Sequence, residues 1–228
     1  MRYLNKIVFI NSAAIRYSEV QLDGNIHLIG TQGVGKSTIL RAILFFYNAD
    51  TQRLGIPVEK KSYQDYYFPY ADSSIIYEVA REDGWFTVLS YKTMNRICYR
   101  FIASPYRPDL FIDEEGAPYP SDRIRSVLDK NGIKYSGAIS TYEEYRNILY
   151  GNSDNKRDYS CYSLMESGSY QNIIRTIQNV LLNSRLEADY IKQTIITSLN
   201  EADSVIDLSR YRSHLSCLLY TSPSPRDS

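Results

Sequence analysis

Over the first 29 residues apolar side chains alternate with polar ones or run together in short stretches, and the pattern changes abruptly at residue 36. Residues 3–10, 18–22 and 25–29 read as strands, with Asp23-Gly24 as the hairpin turn between the second and third. From Lys36 the apolar positions Ile39, Leu40, Ile43, Leu44 and Tyr47 recur at three- and four-residue spacing, which predicts a helix ending at Asn48 with one buried side. Residues 49–72 contain Gly55, Pro57 and Pro69, lack clear periodicity and read as an irregular connection with room for a short helix. Residues 74–80, 85–91 and 96–103 are rich in β-branched and aromatic side chains separated by turn residues at 82–84 and 93–95, the pattern of an antiparallel meander.

A shorter strand is expected at 110–112, then helices at 121–130 with Ser121 as cap and at 142–150 capped by Thr141. Residues 152–158 form a polar loop, 161–165 read as a strand, and 170–183 and 187–199 as helices. A further helix starts near Asp203, with Val205, Ile206, Leu208, Leu215 and Leu219 apolar. The fold class implied is mixed α/β, with no internal repeat.

A chain of 228 residues, 43% hydrophobic, is long enough for one substantial core. Its 26 Lys plus Arg balance 26 Asp plus Glu, so no overall field draws it to nucleic acid or to an anionic membrane, and any contact with DNA must be local. Cys98, Cys161 and Cys217 are far apart, with no C-x-x-C pair, which argues against a zinc site and a disulfide framework. The N-terminal apolar run is broken by Asn11 and Ser12, too soon for a signal-peptide core or a membrane span of about 20 residues. A cytoplasmic protein with no membrane partner is expected. The 22 tyrosines are at home on sheet surfaces and at interfaces alike.

The stretch GTQGVGKST, residues 30–38, carries the strongest chemical signal. Gly30, Gly35, Lys36 and Ser37 satisfy G-x-x-x-x-G-K-[ST], placed between an expected strand and an expected helix. Such a loop binds a nucleotide because glycines let backbone N–H groups turn inward around phosphate oxygens while the helix start adds the positive end of its dipole. Thr31, Gln32, Gly33 and Val34 supply the intervening amides, and Lys36 would reach the β- and γ-phosphates. Ser37 would offer a hydroxyl to Mg²⁺, and Thr38 would bond the α-phosphate. The loop does not read the base, so it leaves ATP and GTP equally open.

Hydrolysis needs in addition a strand ending in a carboxylate that holds Mg²⁺ through water, and a group that positions the attacking water. Asp113 and Glu114 end a short apolar run but lead to Gly116 and Pro118, the pattern of a surface hairpin. Residues 204–209, SVIDLS, sit in helical periodicity. No catalytic residue is therefore expected within this sequence.

Residues 10–49, INSAAIRYSEVQLDGNIHLIGTQGVGKSTILRAILFFYNA, resemble the N-terminal head half of SMC-like ATPases of the ABC type. Residues 59–79, EKKSYQDYYFPYADSSIIYEV, look most like the MukB-like JetC type of bacterial Wadjet systems, which act against plasmids. The resemblance implies ATP and Mg²⁺ as cofactors, a second copy of the head as partner, kleisin-like and accessory subunits, and DNA as substrate. It also implies that a long coiled coil splits the head, leaving the signature motif, the Walker B strand and the catalytic carboxylate in a C-terminal half. Residues 1–202 would then be the head lobe and 203–216 the root of the coiled-coil arm. A Q-loop is implied near residues 162–173, where Glu166 and Gln171 are the metal-proximal candidates and a plain strand-to-helix turn is the alternative.

The last nine residues of CLLYTSPSPRDS resemble translated sequencing-adapter read-through, on which reading the natural chain is expected to continue past residue 217; an ordinary Ser/Pro tail that buries no core is the alternative, and 217–228 are set aside from the fold. Arg53, Lys60 and Lys61 with Tyr63, Tyr66 and Tyr67 form a basic and aromatic cluster suited to phosphates and stacking, or else a solvated loop. Arg96 and Arg100 share strand parity and form a second candidate patch. His27 and His214 read as structural. Two rival functions remain open: a self-contained P-loop phosphotransferase or GTPase with Asp113 on Mg²⁺, and a nucleotide-gated RecF-like or STAND-like signalling scaffold.

Overall fold

Strand β1 (Tyr3–Ser12) turns through Ala13 and Ala14 directly into β2 (Ile15–Gln21), with Ser12 opposite Ile15. Ala13 carries φ of 55° in this turn, a left-handed conformation usually given to Gly or Asn. Because Ala-Ala has no turn signature, this hairpin is invisible in the sequence, and the hairpin expected at Asp23-Gly24 does not form. In the computed structural model residues 2–24, 26–48, 62–94, 96–151 and 159–164 are described, all within the unit Met1–Ser184.

The other elements are α1 (Lys36–Asn48), α2 (Tyr63–Tyr67), β3 (Ser74–Arg81), β4 (Gly84–Thr93), β5 (Arg96–Ile102), α3 (Ser121–Lys130) and α4 (Tyr142–Leu149). The strands form one antiparallel sheet in the order β2-β1-β3-β4-β5. The meander predicted for residues 74–103 is thus present, and β1 closes it on the β3 side. The strands between the edges are buried at nearly every position because both faces of the sheet are covered, while the edge strand β2 keeps exposed residues along its length.

Strand alternation divides the core in two. One face sends Ile7, Phe9, Ile75, Tyr77, Val88, Tyr99 and Phe101 toward α1, α2 and α4, where Ala42, Phe45, Phe46, Tyr63, Tyr145 and Ile148 are buried. The other sends Val8, Ile10, Ile76, Leu89 and Ile102 toward Leu110, Phe111 and, on α3, Ile124 and Leu128. The result is three layers with the sheet in the middle. Burying a side chain such as Phe45 stabilises the fold by about 1.5–3 kcal/mol.

Helix α4 begins as the sequence implies, with the Thr141 hydroxyl accepting the Glu144 amide at 3.3 Å. Helix α3 has Pro120 rather than Ser121 at its N-cap. Two short strands predicted on apolar content are turns instead. Residues 110–112 follow a 3-10 turn at Pro108–Leu110 and contribute a single bridge, Ile112 to Pro118, while Ser160–Tyr162 is a 3-10 turn. The helices predicted at 170–183, 187–199 and beyond 203, together with Glu166, Gln171 and His214, lie outside the described residues.

Candidate functional site

Residues 26–30 run into the Gly-rich loop without joining any ladder, so the strand expected at 25–29 is not formed. Two of its three apolar side chains stand in solvent, Ile29 being 91% exposed and Ile26 41%, while Leu28 is half-buried. An extended apolar segment becomes a strand only when a neighbour takes its N–H and C=O groups. Among the described residues no strand lies beside this one. His27 is exposed on the same segment.

The loop itself turns through Gly33 and Gly35 at φ of 91° and 94°, where a side chain would strain the backbone, and a Cβ added at either glycine would meet nothing within 4 Å. Thr31, Gln32, Gly33 and Val34 are exposed. Gly35 ends the loop by accepting the amides of Thr38 at 3.0 Å and Ile39 at 3.1 Å, the first hydrogen bonds of α1. No amide from 31 to 37 donates to another backbone group among the described residues. The donors at the start of α1 therefore remain available to a ligand, next to the positive end of the helix dipole.

Lys36 folds back over the loop, its Nζ donating to the carbonyls of Gly30 at 2.5 Å and Thr31 at 2.7 Å. An ammonium group has three donors, and these two bonds use two of them among the described residues. Ser37 is exposed and its hydroxyl has no hydrogen-bond partner among the described residues, an arrangement open to a hard cation that prefers oxygen donors. No group of three His, Cys, Asp or Glu side chains among the described residues is placed to hold a metal.

Thr38 is the buried member of the loop, 9% exposed, and each of its polar atoms is engaged. Its amide bonds Gly35, its carbonyl accepts the Tyr67 hydroxyl at 2.7 Å, and its own hydroxyl lies 3.3 Å from that of Tyr66. Further tyrosines continue along the same helix: Tyr77 donates to the carbonyl of Ala42 at 3.0 Å, Tyr145 to Phe46 at 2.7 Å and Tyr150 to Tyr47 at 2.6 Å. The receiving carbonyls of Thr38, Ala42 and Phe46 are four residues apart and so share one helix face. Phenols from α2, β3 and α4 thereby fix the helix that carries the loop. Tyrosine abundance hints at this, but only the fold shows which carbonyls accept.

The remaining predicted contacts redistribute. Tyr63 and Tyr67 are core residues, 2% and 1% exposed, with stacked rings 4.1 Å apart, and cannot stack on bases; Tyr66 alone of the three is exposed, at 40%. Arg53, Lys60 and Lys61 lie outside the described residues. Arg100 does not form a surface patch with Arg96. It is buried against Tyr91 and Tyr135, with its guanidinium 5.3 Å from the Tyr135 ring centre, because its strand position faces α3 rather than solvent.

Asp113 opens a tight turn, its amide donating to the Ala117 carbonyl at 2.9 Å. Its Oδ1 accepts the amides of Glu115 at 3.1 Å and Ala117 at 2.7 Å, and the adjoining Phe111 and Ile112 pack on the sheet face opposite α1. The sheet stands between this carboxylate and the helix that bears Lys36 and Ser37.

A buried polar site that sequence reading missed lies near the exit of β2. Asn5 is the bulged residue of β1, between partners Leu4 and Lys6, and the bulge aims its amide at Glu78, with Nδ2 donating to Oε1 at 2.7 Å. The other Glu78 oxygen accepts the Tyr106 amide at 2.7 Å, and the Asn5 carbonyl accepts the Leu22 amide at 2.6 Å. This network ties down the chain just before residues 26–30.

These features define a mixed α/β protein with a five-stranded antiparallel sheet and a Gly-rich loop opening onto a buried helix. The chain belongs to the family described as Protein of unknown function (DUF3584), which it matches over residues 12–215. No curated protein matches it. Among the described residues no helix is long and apolar enough to cross a membrane.

Proposed function

We propose that this chain is the ATP-binding N-terminal lobe of a P-loop ATPase head of the SMC-like, ABC-type class, and that residues 30–38 hold the triphosphate. The observation that carries the reading is the set of amides from 31 to 37, uncommitted to backbone bonds among the described residues and beside an ammonium group that reaches the loop. Phosphate oxygens would take those amides, and Lys36 would exchange the carbonyls of Gly30 and Thr31 for the β- and γ-phosphates. Ser37 is the residue that would hold Mg²⁺, whose charge offsets that of the phosphates.

Two further observations favour a split head. The exposed segment 26–30, which joins no strand among the described residues, is what a head lobe would present to a strand supplied by a second half of the protein. The family's name is associated with RecF-, RecN- and SMC-like proteins. On this reading the carboxylate that activates water lies in that second half, two heads enclose two ATP molecules, and turnover moves or restrains DNA with kleisin-like and accessory subunits, as in Wadjet-type defence against plasmids. The position of Asp113 across the sheet from α1 weighs against a self-contained phosphotransferase.

The test is turnover. The purified chain should bind MgATP with no steady phosphate release, and release should begin only when the complementary half and a second head are supplied. Steady hydrolysis by the chain alone, at a rate independent of its concentration and of any partner, contradicts the split head.

A further inference from the structure

Helix α2 presents two adjacent tyrosines to one residue of the loop. Tyr67 donates to the Thr38 carbonyl at 2.7 Å, and Tyr66 brings its hydroxyl to 3.3 Å from Thr38 Oγ1. Their rings meet edge to face, with centres 5.0 Å apart, and Tyr67 is buried while Tyr66 is 40% exposed. A buried tyrosine against a helix carbonyl is accounted for by packing. For the half-exposed Tyr66, burial of the ring does not by itself account for a hydroxyl placed against a loop threonine.

A hydroxyl has one proton and two acceptor sites. When Tyr66 donates to Thr38 Oγ1, the Thr38 proton cannot point back at Tyr66 and is left for another acceptor. The Thr38 amide and carbonyl are already taken by Gly35 and Tyr67, so the backbone of this residue is fixed and only the hydroxyl rotor remains to be set. A chain of two hydroxyls ending on an anionic oxygen also strengthens each bond through polarisation.

We propose that Tyr66 is a positioning residue for nucleotide binding: it donates to Thr38 Oγ1 and so aims the Thr38 O–H at the phosphate nearest the nucleoside. The inference rests on the reading of residues 30–38 as a triphosphate site and goes beyond it by naming an element, α2, that sets affinity for the α-phosphate. Tyr66 acts through Thr38, and the ammonium group of Lys36 is not part of the relay. Its effect falls on ATP and ADP alike, because both carry the α-phosphate and the relay touches neither end of the γ-phosphate.

The experiment is calorimetric titration of the full chain with MgATP and with MgADP, using wild type, Tyr66→Phe, Thr38→Val, the double variant and Lys36→Ala. Tyr66→Phe keeps the ring and its contact with Tyr67 and removes only the donor; a thermal melt close to that of wild type confirms an intact fold. The expected result is a loss of about three- to tenfold in affinity for both nucleotides in Tyr66→Phe, with the ATP to ADP ratio unchanged. The double variant should bind no more weakly than Thr38→Val, since the two hydroxyls act as one unit. Binding by Tyr66→Phe equal to wild type, or losses that add in the double variant, overturns the relay while leaving the loop assignment standing. Absence of binding by wild type, with Lys36→Ala indistinguishable from it, overturns both.

Discussion

The hydroxyl of Tyr145, on α4, donates to the main-chain carbonyl of Phe46, near the end of α1, at 2.7 Å. With Tyr67 on Thr38 and Tyr77 on Ala42 it makes a row of phenols along one face of the helix that carries the loop. Each bond is neutral and buried, so removing one hydroxyl costs about 0.5–1.5 kcal/mol. Tyr145→Phe should therefore lower the midpoint of thermal unfolding by about 1–6 °C, followed by circular dichroism. An unchanged midpoint would show that the hydroxyl is not spent on α1.

The same phenols make the fold sensitive to alkali. Burial holds the ionisation of Tyr63, Tyr99 and Tyr145 well above the ordinary value near 10. Above that value an unfolded chain releases protons that the native chain keeps, so the native state binds more protons and stability falls as pH rises. Below it their contribution is complete. Each such group should remove about 1.4 kcal/mol per pH unit above 10 while it stays protonated in the fold. In a spectrophotometric titration these phenols should ionise together with unfolding, in one cooperative step. Ordinary titration of all tyrosines near pH 10 in a folded chain would contradict their placement.

Glu78 is 6% exposed and has both oxygens committed, one to the Asn5 amide and one to the Tyr106 N–H. Gln at this position keeps the shape but turns an NH₂ toward one of the two donors. Glu78→Gln should cost about 1–3 kcal/mol, read as a lower urea midpoint with an unchanged slope. A midpoint equal to wild type would mean that the bulge at Asn5 does not need the carboxylate.

Asp113→Asn keeps the oxygen that accepts the Glu115 and Ala117 amides, so the turn should persist. With the sheet between residue 113 and α1, affinity for MgATP should stay within about twofold of wild type. A tenfold loss in calorimetry would return Asp113 to the metal site.

What could be read from the sequence follows from how local each cause is. The meander at 74–103 and helix α1 were legible because strand alternation, helical spacing and turn residues all act within a few positions. The β1–β2 hairpin was not, since Ala13 adopts positive φ without a residue type that advertises it. Residues 26–30 have a strand's composition, but strandhood depends on a neighbour that composition cannot supply. The loop glycines and Lys36 stand out in the sequence by their spacing alone, whereas the contacts of Tyr66 and Tyr67 with Thr38 required the fold to bring α2 onto α1. Arg100 looked like a surface charge because alternation gives a face but not what covers it.

On the proposed function the backbone between residues 31 and 37 cradles a triphosphate, with the Lys36 ammonium closing the site. Calorimetric titration of wild type and Lys36→Ala with MgATP tests it most directly. Saturable binding near one nucleotide per chain, weakened at least about tenfold in the variant, is the result expected. Equal affinity of the two proteins, or no binding by either, would contradict it.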